Sequence, residues 1–173
     1  NKYKNNYNWR EIMDKNYLTP QGHQKVNKLL EEYVKVKRPA SIEAISEAQK
    51  NGGGELSENT EYLQALEERD QIENKISELS RLIENCQVID ISNFKEDNKV
   101  RFGSTVTLLD IDLDKEFTYK IVGEIESNIK EGTISYKSPI GMAMIGLHKE
   151  EEFDLVAPSG IRTFEIIEVK HIA

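Results

Sequence analysis

Between Tyr62 and Cys86 the side chains that would face one side of a helix recur at steps of three and four without a slip. They are Tyr62, Ala65, Arg69, Ile72, Ile76, Leu79, Ile83 and Cys86, and only Arg69 among them is polar. A repeat averaging ~3.5 residues is the seam of a coiled coil. It commits this stretch to a long helix with one apolar stripe, and such a helix needs a partner to cover that stripe.

The partner lies immediately upstream. Thr19-Pro20 is a helix start, a capping hydroxyl followed by a proline whose missing N–H costs nothing at the first turn. Val26, Leu29, Tyr33 and Val36 then continue at steps of three and four. Pro39 interrupts them, and the stripe resumes out of phase at Ile42, Ile45 and Ala48. A proline inside a helix removes a hydrogen bond and clashes one turn back, which predicts a kink or short break there. Asn51-Gly52-Gly53-Gly54 separates the two helical stretches as a turn. Two helices joined this way form an antiparallel hairpin, with arms of roughly 28 residues reaching ~40 Å.

From Val88 onward the period becomes two. Strands are predicted at 105–109, 117–122, 132–136, 153–157 and 163–169, with turns at Gly123, Gly132 and Pro158-Ser159-Gly160. Pro139 to Leu147, small and apolar, reads as a short helix. The predicted fold class is therefore α+β, an N-terminal antiparallel coiled-coil hairpin followed by a C-terminal α+β domain. The expected boundaries are a flexible arm over 1–16, the hairpin over 17–88 and the C-terminal domain over 89–173. The arm is polar, rich in Asn and Lys, and holds Trp9, the single tryptophan.

Charge and cysteine content narrow the function classes. Against 23 Lys and Arg stand 31 Asp and Glu, a net charge of −8. Phosphate contacts need positive charge, so work on nucleic acid would have to go through a partner. Cys86 is the only cysteine, which excludes an internal disulfide and a cysteine-rich metal site. At a seam position it reads as a small buried hydrophobe. No run approaches the ~18 apolar residues of a membrane span. The expected setting is the cytoplasm.

The hairpin tip is the place where chemistry concentrates. Glu55, Glu58 and Glu61 follow the triple glycine, with Ser57 and Asn59 among them. Magnesium takes oxygen ligands, commonly one or two carboxylates beside water and phosphate oxygens, so a tip of this kind could complete a metal site belonging to another protein. The competing reading is structural: acids in the first turn of a helix favour its dipole, and Ser57 or Asn59 would cap it. His23, His148 and His171 carry no ligand spacing. The glycines lack the Lys-Ser/Thr of a phosphate loop. Lys35, Lys37 and Arg38 read as a solvated face in preference to an RNA contact. The segment 138–144 is either core or an apolar patch for a partner.

Several motifs resemble the GreA/GreB family of bacterial transcript cleavage factors, nearer its GreA members. They are Leu18-Thr19-Pro20-Gln21-Gly22, Arg38-Pro39, the tip Gly54-Glu55-Leu56-Ser57-Glu58-Asn59-Thr60-Glu61-Tyr62, Val88-Ile89-Asp90, Phe102 to Thr107, Tyr119 to Gly123, and Ser135 to Gly146 with its Ser-Pro-Ile-Gly core. The similarity spans about residues 17–170. It implies a C-terminal domain of FKBP-like fold that docks on the rim of the RNA polymerase secondary channel. The hairpin would enter that channel and stimulate the polymerase's own cleavage of backtracked RNA. By the match, Glu55 and Glu58 are the acids that help hold the polymerase's Mg²⁺, with Asn59, Glu61 and Tyr62 completing the tip motif. Ser138, Pro139, Ile140 and Gly141 would form the docking surface. The resemblance thus implies an accessory factor rather than an enzyme, monomeric, with no cofactor or metal of its own. Its partners would be bacterial RNA polymerase and the RNA 3′ end, not a membrane.

The sequence departs from the family at three points. Glu55 stands where Asp is usual, the turn is two residues longer with its triple glycine, and Gln49 and Leu66 occupy places that often carry arginine, with Lys50 nearby. These departures bear on cleavage rather than on docking. Two alternatives stay open at this point, a Gre-like paralogue that occupies the channel and inhibits, and a coiled-coil scaffold or chaperone with an FKBP-like domain.

Overall fold

The structure, a computed structural model, describes residues 15–52, 55–93, 97–158 and 160–171, without the side chains of Asn93 and Ala157. The arm up to Asp14 with Trp9, the Gly53-Gly54 part of the turn, and Ser159 lie outside the described residues. The chain forms two compact units, one of residues 23–85 and one combining 1–22 with 86–173. Compared with the boundaries expected from sequence, residues 17–22 and 86–88 sit in the sheet unit.

In the hairpin unit, α1 (Pro20–Glu32) runs through a π-helical turn, Tyr33–Lys37, into α2 (Arg38–Asn51). The helix is continuous where a kink or break was expected, and the π turn explains how. Pro39 cannot donate and its ring would strike the carbonyl four residues back. The backbone widens just before it, and the Arg38 N–H donates to the Tyr33 carbonyl five residues earlier. The extra residue also shifts the phase of the stripe. Ser41 and Ala48 are buried, while Val36 and Ile42, which the spacing placed on the inner face, are 61% and 57% exposed. The buried Ser41 hydroxyl is satisfied by donating to the Arg38 carbonyl at 2.8 Å.

The returning helix α3 (Thr60–Asn85) follows the seam closely, with Ala65, Ile72, Ile76 and Leu79 buried and Tyr62, Arg69 and Ile83 partly so. Arg38 crosses between the arms, its guanidinium donating to both carboxylate oxygens of Glu73 at 2.6 and 2.7 Å. This two-pronged geometry fixes register as well as charge. The pair holds the Glu73 carboxyl below its ordinary range, chiefly through the hydrogen bond from Arg38. Cys86 falls just beyond the helix. Instead of a hairpin seam position it opens a strand and is only half-buried, and that partial burial pushes its thiol up.

The sheet unit begins with a parallel pair, β1 (Asn16–Leu18) and β2 (Cys86–Val88), in register Asn16 to Cys86 and Leu18 to Val88. Parallel neighbours need a long crossover, and here the whole helical hairpin is that crossover. Five further strands form the main sheet: β3 (Thr105–Asp110), β4 (Lys115–Val122), β5 (Thr133–Ser135), β6 (Glu152–Ala157) and β7 (Gly160–Lys170). Their order is β5-β4-β3-β7-β6, antiparallel except for the β4–β5 pair. Strand β3 alternates inward and outward, burying Val106, Leu108 and Asp110. A register shift at Thr107/Leu108 passes over Ile167 of β7, a β-bulge. Short helix α4 (Pro139–Met144) ends three residues before the expected Leu147 and seats Met144 in the core with Ile121, Ile134, Tyr136 and Ile166.

Asp110 is a fully buried acid whose needs are met. It accepts from the Asp112 and Leu113 N–H groups at 3.1 and 3.0 Å and from Arg162, so it shapes the turn from β3 into β4. At the other junction Glu126 plays a similar part. Its carboxylate accepts from the Thr19 N–H at 3.0 Å, the Thr19 hydroxyl and the Gly123 N–H at 3.1 Å. Thr19 in turn caps α1, accepting from the Gly22 N–H at 2.9 Å. A Cβ on Gly22 would lie 2.0 Å from the Glu126 carboxyl, so a larger residue there would push that carboxylate aside. Among the described residues no helix is long and apolar enough to cross a membrane.

Candidate functional site

The tip of the hairpin is built around Asn59. Its side-chain N–H donates to the Ala48 carbonyl on α2 at 2.9 Å, and its side-chain oxygen accepts from the Tyr62 N–H at 3.1 Å. The second bond caps α3 at its third residue. Only one orientation of the amide satisfies both partners, because a carbonyl cannot donate and an N–H cannot accept. The Ala48 oxygen also receives the Gly52 N–H at 3.1 Å, so both of its lone pairs are used. Gly52 leaves room for this: a Cβ there would sit 2.0 Å from the Asn59 amide nitrogen.

Glu55, Leu56, Ser57 and Glu58 project from this clasp. Leu56–Glu58 form one 3₁₀ turn, closed by the Glu58 N–H donating to the Glu55 carbonyl at 3.0 Å and the Asn59 N–H to the Leu56 carbonyl at 3.3 Å. The Glu55 carboxylate accepts from the Ser57 hydroxyl at 3.5 Å, a long bond. Glu58 and Glu61 have no ion-pair or side-chain hydrogen-bond partner among the described residues, and all three acids are exposed. Glu61 lies in the first turn of α3, where the helix dipole favours an acid. The capping that sequence offered as a structural alternative falls to Asn59 alone, and Glu55 and Glu58 take no part in it.

Of the remaining tip motif, Tyr62 is half-buried on the seam side. The basic run is occupied: Lys35 pairs with Glu31, Lys37 with Glu32 at 3.6 Å and Arg38 with Glu73. Gln49 and Lys50 are exposed and Leu66 is half-buried. The histidines are scattered, His23 against Asn27, His148 against Glu151 and His171 against Ser104. No group of three or more His, Cys, Asp or Glu placed to hold a metal occurs among the described residues.

In the sheet unit, the Ser138-Pro139-Ile140-Gly141 segment is a helix start with chemical reasons for each residue. The Ser138 oxygen accepts from the Gly141 N–H at 3.1 Å while its hydroxyl donates to the Ser135 carbonyl at 2.6 Å. Pro139 occupies the first turn, where no donor is missed. Gly141 is buried, and a Cβ there would stand 2.3 Å from the Ser135 oxygen. Pro139 is exposed, whereas Ile140 is half-buried against the core. The methionine-bearing segment is thus divided, Met144 inside and Met142 at the edge.

Sequence reasoning missed Glu126, Gly52 and the Asn59–Ala48 bridge. Gly52 was legible only as part of a turn, and the other two depend on contacts between residues far apart in the chain.

With this geometry in place, comparisons with known proteins give a consistent answer. Residues 16–88 match the family described as transcription elongation factor, N-terminal, and residues 95–171 match transcription elongation factor, GreA/GreB, C-term. Transcription elongation factor GreA of Hyphomonas neptunium is 45% identical over 157 residues, covering 91% of this chain and 98% of its own. The same-named protein of Nitrosococcus oceani is 43% identical over 154 residues, covering 89% and 96%. A solved structure, GreA factor homolog 1 (Gfh1) of Thermus thermophilus, covers 90% of this chain and 99% of its own at 21% identity and a TM-score of 0.40, too loose a likeness to weigh on the assignment.

Proposed function

The chain belongs to the GreA/GreB family of transcription elongation factors, and from that premise we propose that it enters the secondary channel of bacterial RNA polymerase and stimulates cleavage of backtracked RNA. The observation that supports this reading is the pair of exposed carboxylates, Glu55 just before and Glu58 at the end of one 3₁₀ turn, spent on no contact that the hairpin needs for its own stability. Glu73, Asp110 and Glu126, by contrast, are each tied to a partner.

The donor set fits a shared magnesium site. Two carboxylates are what such an ion commonly takes from protein, the rest of its octahedron being water and phosphate oxygens. Glu55 and Glu58 would hold the ion together with the polymerase's own groups. When bound, a second metal ion in a phosphodiester site supplies hydroxide at neutral pH and steadies the leaving oxygen. What this chain does is bring two carboxylates to the polymerase's site and orient the water that they accept hydrogen bonds from.

Docking is assigned to the other unit. The exposed Pro139, on a helix start held rigid by Ser138 and Gly141, offers an apolar contact on a fixed backbone. The factor works in the cytoplasm, as a monomer, and its contact with the RNA 3′ end arises inside the complex with polymerase. It lends groups to an active site that belongs to its partner and is not itself an enzyme.

The test is transcript cleavage on a purified backtracked elongation complex carrying 3′-labelled RNA, at fixed Mg²⁺. Short 3′ fragments should appear with the protein and be lost with Glu55→Ala/Glu58→Ala, while affinity for polymerase stays within about twofold, since removing exposed side chains costs little elsewhere. Binding without fragments would overturn the cleavage reading in favour of an inhibitor that occupies the channel. Absence of binding would overturn the polymerase reading altogether.

A further inference from the structure

Glu55 precedes and Glu58 ends a 3₁₀ turn of three residues, and a turn that short does not hold its own shape in water. Something must fix it between the two helix ends, and the turn's flanks show what. Ala48, near the end of α2, and Tyr62, in the first turn of α3, are joined through a single side chain, the amide of Asn59. The same residue ends the 3₁₀ turn, its backbone N–H donating to Leu56 at 3.3 Å, and its backbone carbonyl receives the Leu63 N–H at 3.1 Å. Four hydrogen bonds therefore converge on one residue, and between them they tie the turn to both helices.

We propose that Asn59 is the positioning residue of the tip, an amide clasp between α2 and α3 that sets where Glu55 and Glu58 are presented. The inference rests on the reading that those acids serve metal-dependent cleavage. Asparagine is the residue type that chemistry requires. Aspartate has no N–H for the Ala48 carbonyl, serine is too short to do both jobs at once, and glutamine would move the amide one methylene outward. Gly52 belongs to the same device, because any side chain there takes the space of the Asn59 amide. The clasp ties the turn to the α3 side and across to Ala48.

Two substitutions separate the clasp from the helix cap. Asn59→Asp keeps the acceptor for the Tyr62 N–H and so the cap, but cannot donate to Ala48. Gly52→Ala leaves Asn59 intact and displaces its amide. Both should lower the cleavage rate by about 10-fold or more, misplacement by about 1 Å being enough for such losses. Both should also raise the Mg²⁺ concentration for half-maximal cleavage several-fold, with binding to polymerase unchanged. A readout independent of activity is the backbone order parameter of residues 55–58 from ¹⁵N relaxation of the free protein. It should fall from the rigid range, about 0.85, toward the flexible range below about 0.6 in both variants. A wild-type protein that cleaves RNA while both variants cleave it equally, with unchanged Mg²⁺ dependence and order parameters, would overturn the clasp. A wild-type protein that binds polymerase and does not cleave would overturn the underlying reading instead; the order parameters would then still decide whether Asn59 fixes the turn.

Discussion

Removing the carboxylate of Glu126 should destabilise the sheet unit by about 3 kcal/mol, and the figure follows from what the carboxylate holds. Three donors meet it: the Thr19 N–H, the Thr19 hydroxyl and the Gly123 N–H. Thr19 is 6% exposed and Gly123 is buried, so Glu126→Ala strands two backbone N–H groups that water reaches poorly. Each stranded donor costs about 1–3 kcal/mol. The lower half of that range applies because the Glu126 side chain is itself half-exposed and solvent can enter the space it leaves. Two donors at about 1.5 kcal/mol each give the estimate. Glu126→Gln should cost only about 1 kcal/mol, since its amide oxygen can keep both backbone bonds and its N–H₂ can donate to the Thr19 hydroxyl. The assay is urea unfolding followed through the amide cross-peaks of Val106 and Leu108, which report the sheet unit alone. A loss below about 1 kcal/mol for Glu126→Ala, or equal losses for the two variants, would refute the account.

Two other predictions concern docking and pH. Pro139→Arg should weaken binding to polymerase without moving the melting temperature, because Pro139 is exposed; Ile140→Arg should reduce both, because Ile140 packs on the core, and competition binding beside thermal melts separates the two. The Glu73 carboxyl, read by ¹³C NMR titration, should have a midpoint below that of a free glutamate and move back up in Arg38→Gln. The sign follows from linkage: a carboxyl lowered in the folded state stabilises the hairpin above its unfolded value, about 4.3, and that contribution is lost as pH falls through the folded value.

How much of this could be read in the chain varied with the range of the cause. The seam from Tyr62 to Leu79, the Thr19-Pro20 helix start and the strands around Val106 and Ile166 are written in local periodicity and capping, and they appear in the structure where the spacing put them. The π turn was half-legible. Pro39 announced a disturbance, but the chain resolved it by widening a helix rather than breaking it, and that choice exchanged Ile42 for Ser41 on the inner face. The β1–β2 pair was hidden because three residues are too few to show a period. Cys86 continues the seam arithmetically, yet it opens a strand. At the tip, the acids were visible as a cluster of glutamates, while the bond from Asn59 to Ala48 joins residues eleven apart across a turn and leaves no trace in spacing.

The parallel pairing of β1 with β2 makes the hairpin a cassette. The chain leaves β1 after Leu18 and re-enters at β2 with Cys86, strands anchored to each other by their register. Insertions between such neighbouring points are the kind that domains absorb most readily. Lengthening the tip, exchanging its acids or altering an arm changes the cassette's payload without rerouting a single strand of the main sheet. A lineage can thus revise what the tip delivers while the sheet unit that carries Pro139 stays as it was.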